Sequence, residues 1–319
     1  MQQKKAKTQW RGLRAQLECL PLSLALVTIP YLSRRQVVGL AKFLGWLGSR
    51  LDFQGRRLAL ANIEYVFPGI SEKRKRLILL GCYRNIALVL LDMFWFCRTD
   101  KERILKWVEL TKAWREGLEM PGAKIIVTAH HGNWELAGHT VVANGYPLLS
   151  VGKKLGSEAT TEKLNAFRSR LGQEIVSSEG AILPILRTLR KGGNVALLAD
   201  QYLNLNKGGI WSTFLGHPAL TAPTPAFFAQ RIKGDIRICV AFMQARPDGH
   251  YRCVPPFYIY PQEEETLEQL TQRVSDATSW LIRRFPTQWL FAYKRWRGIP
   301  EGADPKDYPF YARVVKKTP

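Results

Sequence analysis

The distribution of apolar and polar positions divides the chain into two parts with different patterns. The first hundred residues combine helical periodicity with many basic side chains, whereas residues beyond about 120 alternate between short apolar runs and amphipathic segments. Short apolar runs between turn residues are typical of buried strands, and apolar residues that recur every three or four positions indicate helices. The pattern therefore predicts a helical part followed by an α/β part.

The helical part contains three predicted helices, over residues 34–50, 56–66 and about 71–98. Ser71 followed by Glu72 is a good helix start, and Phe67-Pro68-Gly69 ends the helix before it. The stretch Ile86–Cys97 is apolar nearly all round apart from Asp92, so we expect it to be buried in protein or in lipid.

Strands and helices alternate in the second part. The predicted strands are Ala123–Ala129, Tyr146–Val151, Glu174–Ser177, Asn194–Ala199, Ile236–Phe242 and Tyr251–Tyr260. The predicted helices are Trp134–Ala143, Thr160–Leu171, Ala181–Arg190, one after Pro223–Pro225, and about Glu264–Arg284. Alternation of this kind is typical of a mostly parallel sheet flanked by helices. We therefore predict an α/β fold with an N-terminal helical, membrane-associating layer, divided into a basic and apolar segment, 1–50, and a main domain, 51–319.

The uncharged run Cys19–Ser33 lies between two basic stretches near the N-terminus. Its fifteen residues are fewer than the ~20 that span a bilayer, and Pro21 and Pro30 interrupt it. It lacks a convincing cleavage site of small residues for a signal peptide. The basic flanks, with Trp10 and Tyr31 near the edges, favour a segment that lies in or dips into the membrane interface. A buried first helix and a true span remain open.

The net charge narrows the choice of partners. Forty-seven Lys and Arg against 26 Asp and Glu give +21, a field that suits nucleic acid, an anionic membrane or an acidic protein. No zinc-finger, helix-turn-helix, RRM or KH signature is present, so we expect no nucleic-acid partner. The five cysteines are scattered without a CxxC pair, which gives no sign of a disulfide framework or a zinc site.

The segment Ala129-His130-His131-Gly132-Asn133-Trp134-Glu135 carries the strongest chemical signal. An apolar strand leads two histidines into a tight turn, where Gly132 frees the backbone and Asn133 is a good N-cap. Ligands of open α/β sheets bind beyond the carboxyl ends of the strands. A histidine there can act as a general base, and a carboxylate in the first helical turn can fix its tautomer.

Two other interpretations of this segment remain open from spacing alone. Both histidines can be structural, with Glu135 an ordinary first-turn carboxylate that the helix dipole favours. Alternatively, His131 and Glu135, four residues apart, can be metal ligands. The metal interpretation is weak because no HExxH motif follows, and His139, His217 and His250 are not spaced to complete a site.

Several further motifs give the chain a family resemblance. His130 with Glu135 matches the H-x4-D/E motif of the glycerolipid acyltransferase superfamily, and HHGNWE resembles the lipid A biosynthesis lauroyl/myristoyl acyltransferase family. Four other segments are similar to that family: Arg57–Ile63 with Phe67-Pro68, Phe167–Gly172, Ala199-Asp200-Gln201, and Pro286–Phe291 through Arg295-Trp296 and Pro300–Gly302. Tyr293 departs from it, since many members have a histidine there. The resemblance covers roughly residues 55 to 302.

The resemblance implies an acyltransferase domain on the cytoplasmic face of the bacterial inner membrane. His130 would deprotonate the hydroxyl of a lipid A precursor or related glycolipid, which then attacks the thioester of acyl-acyl carrier protein, and Glu135 would orient His130. Neither a cofactor nor a metal is expected. Phosphatidylinositol mannoside, ornithine lipid and lysophosphatidate are alternative acceptors, and a non-enzymatic basic membrane- or nucleic-acid-binding protein is a remote alternative.

Four residues are candidates for substrate binding. Arg168 and Arg170 suit acceptor phosphates or the thioester carbonyl, because guanidinium forks match such oxygens. Asp200, at the end of a predicted strand, suits an arginine or an acceptor hydroxyl. Lys153, with Lys154, follows another strand and adds positive charge there. Backbone NH groups near Gly132 are candidate donors to the oxyanion.

Overall fold

The helical layer contains three long helices, in a computed structural model that describes residues 24–98, 100–152 and 158–315. They are α1 (Arg34–Leu51), α2 (Phe53–Val66) and α3 (Glu72–Trp95), as the sequence predicts. Each starts at a polar N-cap: Ser33, which forms a capping box with Gln36, then Asp52 and Ser71. Of the run 19–33, only residues 19–23 lie outside the described residues; Ile29–Tyr31 form a 3-10 helix in which Ile29 and Pro30 are buried. Residue 50, the predicted boundary, falls in the last turn of α1.

Helix α1 packs along α3 through a narrow stripe of small and branched residues. Val37, Ala41 and Gly45 are buried on this stripe. A side chain at Gly45 would collide with the backbone of Arg84, so the two helices approach closely only because Gly45 has no Cβ. The opposite stripe of α1 faces solvent.

Helix α3 is long and apolar enough to cross a membrane, by length and composition alone. Half of its most apolar window is nevertheless buried inside the protein. Its polar residues Asn85 and Asp92 are also buried and form hydrogen bonds within the fold. The stretch Ile86–Cys97 was expected to be buried in protein or in lipid, and part of it is buried in protein.

The main sheet has six strands in the order β11-β8-β2-β5-β3-β4. They are β2 (Ala123–Thr128), β3 (Leu149–Gly152), β4 (Glu174–Ser177), β5 (Asn194–Leu198), β8 (Ile236–Val240) and β11 (Phe257–Ile259). The pairs β2·β5, β2·β8, β3·β5 and β3·β4 are parallel, and β11 runs antiparallel to β8. The mixed α/β fold class is thereby confirmed, and β2 lies at the centre with β5 beside it.

Alternate residues of the central strands serve two separate cores. Ile125 and Val127 pack with the helices α8 (Ile182–Arg190), α9 (Thr224–Ala229) and α10 (Leu267–Arg284), together with α2 and α3. Ile126 packs on the other side, against α6 (Trp134–Ala143) and the helices α4 (Asp100–Trp107) and α5 (Lys112–Glu119). The two-residue period of a strand therefore buries both faces of the sheet.

Several elements differ from the sequence prediction. The predicted strand Tyr251–Tyr260 is wrong: Pro255-Pro256 separates β10 (Tyr251–Cys253), which pairs with β1 (Val108–Glu109) and β9 (Met243–Ala245), from β11 in the main sheet. Proline lacks the NH that a continuous strand needs. Helices α4 and α5, the hairpin β6 (Ile210–Phe214)–β7 (His217–Thr221) and the pair β12 (Gly298–Ile299)–β13 (Arg313–Val314) were not predicted. Helix α7 (Glu158–Ser169) agrees approximately with its prediction.

Candidate active site

The turn between β2 and α6 lies at the carboxyl edge of the main sheet. Gly132 has φ of +58°, and a Cβ there would collide with the carbonyl oxygen of Met243, so no other residue fits the turn without a shift. Asn133 caps α6 by accepting a hydrogen bond from the backbone NH of Leu136 at 3.0 Å. Gly132 and Asn133 thus form the turn and the helix start of the strand-turn-helix that the sequence predicts.

His130 is held by the carboxylate of Asp200. The ring Nδ1 lies 2.9 Å from Asp200 Oδ1, and the backbone NH of His130 donates to Oδ2 at 2.9 Å. The indole Nε1 of Trp289 donates to the same Oδ2 at 2.9 Å. Asp200 follows β5, and because β5 runs parallel beside β2, the residues after both strands meet at one edge.

These contacts determine which nitrogen of His130 is available. An ionised carboxylate only accepts hydrogen bonds, so Nδ1 carries the proton in the neutral ring and Nε2 keeps its lone pair. The side chain of His130 is 16% exposed, and the amide of Gln201 lies 3.3 Å from Nε2. His130 therefore keeps a basic Nε2 on a partly exposed side chain, with the Gln201 amide beside it.

Burial and charge act in opposite directions on this pair. Burial lowers the pKa of His130, but the charge and hydrogen bond of Asp200 outweigh it, and the net pKa is raised. For Asp200, burial raises the pKa, whereas His130 and the hydrogen bonds from Trp289 and the backbone lower it more, so its net pKa is lowered. Asp200 is therefore a buried, ionised carboxylate at neutral pH.

Glu135 does not contact the ring of His130 in the way that the resemblance implies. Its two carboxylate oxygens accept from Arg168, from Nε at 2.8 Å and from Nη2 at 2.6 Å. The carboxylate that hydrogen-bonds His130 is Asp200, so the orienting contact expected of Glu135 is corrected. The physical reason is that Glu135 faces α7, where a bidentate guanidinium is a better partner than an imidazole. Its charge still helps to raise the pKa of His130.

His131 is a structural residue in this geometry. Its ring is fully buried, stacks on Phe242 at 4.4 Å and lies with Nε2 2.9 Å from the carbonyl oxygen of Phe285. Burial lowers its pKa to about 4, so the ring is neutral at physiological pH and Nε2–H donates to that carbonyl. Of the two histidines, only His130 has a partly exposed side chain.

The other predicted residues lie in different places. Arg168 contacts Glu135, and its Nη1 is buried without a hydrogen-bond partner among the described residues. Arg170 is exposed and donates to the carbonyl oxygen of Cys97. Asp200 contacts His130 and Trp289, whereas Lys153 and Lys154 lie outside the described residues.

The backbone donors proposed near Gly132 are already engaged. The NH of His130 donates to Asp200, that of His131 to Ala129, and that of Gly132 to the carbonyl oxygen of Gln288 at 3.0 Å. These three NH groups cannot serve a substrate without breaking a bond. The unpartnered Nη1 of Arg168 is the better candidate donor in this region.

An apolar pocket is lined by the first two residues of α6, next to the His130 turn. Its empty space, open solvent included, is about 870 Å³, and it runs between α6 and the sheet. Trp134, 5.2 Å from the His130 ring between centroids, lines it together with Glu135 and Arg168. Most of the remaining lining is apolar and includes Ile126, Val141, Leu148 and Ala241. An apolar chain in this pocket would lie against Trp134, the residue whose ring contacts that of His130.

No three His, Cys, Asp or Glu residues are grouped as metal ligands within the ranges 24–98, 100–152 and 158–315.

A family model matches residues 5–298 and is described as bacterial lipid A biosynthesis acyltransferase. The match spans well over half of the chain and includes every residue of the His130 site. The chain belongs to this family. His130, Asp200 and the apolar pocket are therefore features of a member of the lipid A biosynthesis acyltransferase family.

Curated relatives of this family member carry another acceptor in their names. Phosphatidylinositol mannoside acyltransferases from Mycobacterium tuberculosis, in strains CDC 1551 and H37Rv, are 24% identical over 179 residues, which is 54% of this chain and 54% of theirs. The enzyme of the same name from Mycolicibacterium smegmatis is 21% identical over 196 residues, 59% of this chain and 61% of its own length. The chain thus spans little more than half the length of the curated relatives that it matches.

The sequence did not reveal every contact of this acyltransferase site. Trp289 was noted only as part of a C-terminal motif, and its bond to Asp200 joins segments 89 residues apart. The pairing of Glu135 with Arg168 was likewise not predicted. The useful signal for Asp200 was its position after an apolar strand, but only the order of the strands brings it to His130.

We predict that replacing Asp200 by Asn lowers the pKa of His130. The substitution removes the charge and one of the two acceptor oxygens, which leaves burial as the dominant effect, so the pKa should fall from above its ordinary value of about 6.5 to below it. The measurement is an NMR titration of the histidine side chains in the wild type and in Asp200→Asn. His217, whose pKa is set by burial and its own neighbours, is the internal control. An unchanged His130 titration would contradict this role of Asp200.

Proposed function

We propose that this acyltransferase moves a fatty acyl chain from acyl-acyl carrier protein to a hydroxyl of a lipid A precursor or a related phosphorylated glycolipid, with His130 as the general base. One observation carries the proposal: Asp200 fixes Nδ1 of His130, and Trp134, whose ring lies 5.2 Å from the His130 ring, lines an apolar pocket. An acyl chain in the pocket would bring its thioester carbonyl near the His130 ring.

The reaction follows from this arrangement as two linked transfers. Nε2 of His130 takes the proton of the acceptor hydroxyl while the oxygen attacks the thioester carbonyl carbon, giving a tetrahedral oxyanion. The oxyanion collapses, the carbon–sulfur bond breaks, and the proton on Nε2 passes to the leaving sulfur. Asp200 stabilises the imidazolium that exists between the two proton transfers.

Arg168 is the candidate stabiliser of the oxyanion or of an acceptor phosphate. Glu135 holds its Nε and Nη2 bidentately, which fixes the guanidinium plane while Nη1 remains unpartnered among the described residues. A guanidinium positioned in this way donates to a developing negative charge without reorganising. In this proposal Glu135 contributes to catalysis through Arg168.

The net charge of the chain supports an acidic acyl donor, and the names of the relatives suggest an acceptor. Acyl carrier protein is acidic, and the field of a +21 chain would speed their encounter. The names of the mycobacterial relatives favour phosphatidylinositol mannoside as a second candidate acceptor. Lipid A precursors and this lipid are both phosphorylated glycolipids, which suits the arginines near the site.

The outer stripe of α1 supports a place on an anionic membrane surface. Phe43 and Trp46 are exposed, 55% and 42%, and their rings stack 6.2 Å apart. Lys42 and Arg50 are exposed on the same stripe, and the Arg50 guanidinium lies over the Trp46 ring at 5.5 Å. Aromatic and basic side chains together bind an anionic interface. We propose the cytoplasmic face of the inner membrane.

The decisive assay offers the purified protein two thioesters and several acceptors. We expect acyl-acyl carrier protein to be preferred over acyl-coenzyme A, with a steeper loss of kcat/KM as salt rises, because exposed charges are screened beyond about 8–10 Å. A phosphorylated glycolipid should accept the chain, and His130→Ala should lose roughly 10²–10⁴-fold in rate. Mass spectrometry of the lipid products provides the measurement.

The same assay separates the alternatives. Transfer from acyl-coenzyme A to lysophosphatidate would overturn the donor and acceptor but leave the His130 chemistry intact. An undiminished rate in His130→Ala would overturn the mechanism itself. If phosphate binds Arg168, Arg168→Ala should raise KM more for a phosphorylated acceptor than for its dephosphorylated form. The variant Arg170→Ala tests whether this exposed arginine, two residues after Arg168, also binds the acceptor phosphate.

Membrane binding is tested with a matched pair of double variants. Phe43→Ser/Trp46→Ser should weaken binding to anionic vesicles at least about tenfold, since each buried aromatic contributes roughly 1.5–3 kcal/mol. Phe257→Ser/Trp280→Ser removes a comparable exposed aromatic pair, 36% and 50% exposed with rings 5.0 Å apart, on a different part of the surface. It should bind as the wild type does. Equal binding by both variants would exclude the α1 stripe as the membrane contact.

A further inference from the structure

A buried ion pair joins the helical layer to the His130 turn. Arg34, the first residue of α1, forms a bidentate ion pair with Asp92 of α3, and both side chains are almost completely buried. The Arg34 Nε donates to the carbonyl oxygen of Gly249 at 2.8 Å, and its guanidinium lies 4.9 Å from the ring centre of Trp95.

Asp92 also reaches the turn itself. Its Oδ2 accepts from the Asn133 side-chain nitrogen at 3.1 Å and from the Tyr251 hydroxyl. Asn133 uses its other side-chain atom, Oδ1, to cap the first turn of α6. One asparagine therefore connects the buried ion pair to the helix that carries Trp134 and Glu135.

A second residue of α3 contacts the turn at Gly132, one residue before Asn133. Asn85, seven residues before Asp92 and thus about two helical turns away, donates to the carbonyl oxygen of Gly132 at 2.8 Å. Helix α3 therefore holds both Gly132 and Asn133, the two residues between the histidines and α6. A displacement of Asp92 would shift the start of α6, where Trp134 and Glu135 line the pocket.

We propose that Arg34 and Asp92 are positioning residues for acyl transfer, which set the start of α6 through Asn133 and thereby place Glu135 and Arg168 relative to His130. The kinetic part of this inference rests on the proposed function. A buried ion pair adds little net stability compared with apolar residues of the same shape, so its value here lies in fixing one geometry. A catalytic group displaced by about 1 Å can lose roughly 10²-fold in rate.

The matched variants are Asp92→Asn and Asn133→Ser, with Tyr83→Phe as control. Asn133→Ser keeps an N-cap oxygen but loses the donor to Asp92. Tyr83→Phe also removes a hydrogen bond from α3, the one to Asp52 at 2.9 Å, but Asp52 caps α2 and does not touch the turn. The control therefore loosens the layer without altering the link to His130.

We expect Asp92→Asn and Asn133→Ser each to lower kcat about tenfold or more, per folded molecule, while KM for donor and acceptor changes less than about threefold. The double variant should be no slower than the slower single variant, because both changes break one link. Tyr83→Phe should keep the wild-type kcat. Independent effects in the double variant, a loss that merely follows the folded fraction, or an equal loss in Tyr83→Phe would each overturn the inference.

Hydrogen exchange separates this inference from the proposed function. The backbone NH of Leu136, which bonds Asn133, should exchange faster in Asp92→Asn than in the wild type and remain protected in Tyr83→Phe. This readout needs no substrate. A wild-type protein that transfers no acyl group would contradict the proposed function, whereas unchanged exchange at Leu136 in Asp92→Asn would contradict the link.

Discussion

The burial of the Asp200 carboxylate is the constraint on which the site depends. At 3% exposure an ionised carboxylate must be paired, because an unpaired buried charge costs several kcal/mol. Its partners come from two distant segments: the ring and backbone of His130 after β2, and the indole of Trp289 near the C-terminus. Satisfying one charge therefore requires the strand order, the histidine turn and the C-terminal segment to be correct together. The tautomer of His130 follows from that same requirement.

The helical layer extends this dependence to the other end of the chain. Asn62 of α2 donates to the carbonyl oxygens of Phe291 and Tyr293, close to Trp289 in sequence, while Asn85 of α3 binds Gly132. Buried amides that bind backbone carbonyls fix the position of a loop, because breaking them would leave the carbonyls unsatisfied. The layer that we propose to lie on the membrane is thus part of the scaffold of the site.

The sequence predicted the local features of this site better than its long-range pairings. Gly132, Asn133 and the apolar run before them indicate a strand-turn-helix, because each is a local backbone signal. The partner of His130 is a tertiary fact: Glu135 is five residues away in the chain, yet Asp200 is the carboxylate in contact. Spacing along the chain favoured Glu135, and only the adjacency of β2 and β5 selects Asp200. The strand predicted over residues 251–260 was wrong for a local reason. The Pro255-Pro256 pair interrupts it, although the prediction followed the apolar pattern across the pair.

The central claim is that His130, held by Asp200, is the base that activates the acceptor. The most direct measurement is kcat/KM against pH for the wild type and Asp200→Asn. Only neutral His130 accepts a proton, so the wild-type rate should rise with pH through the raised pKa of His130 and then level off. In Asp200→Asn the bend should move to lower pH, and the plateau should fall roughly 10²-fold or more as the ring loses its orientation. A wild-type profile without this ionisation, or a bend at the same pH in both proteins, would contradict the account.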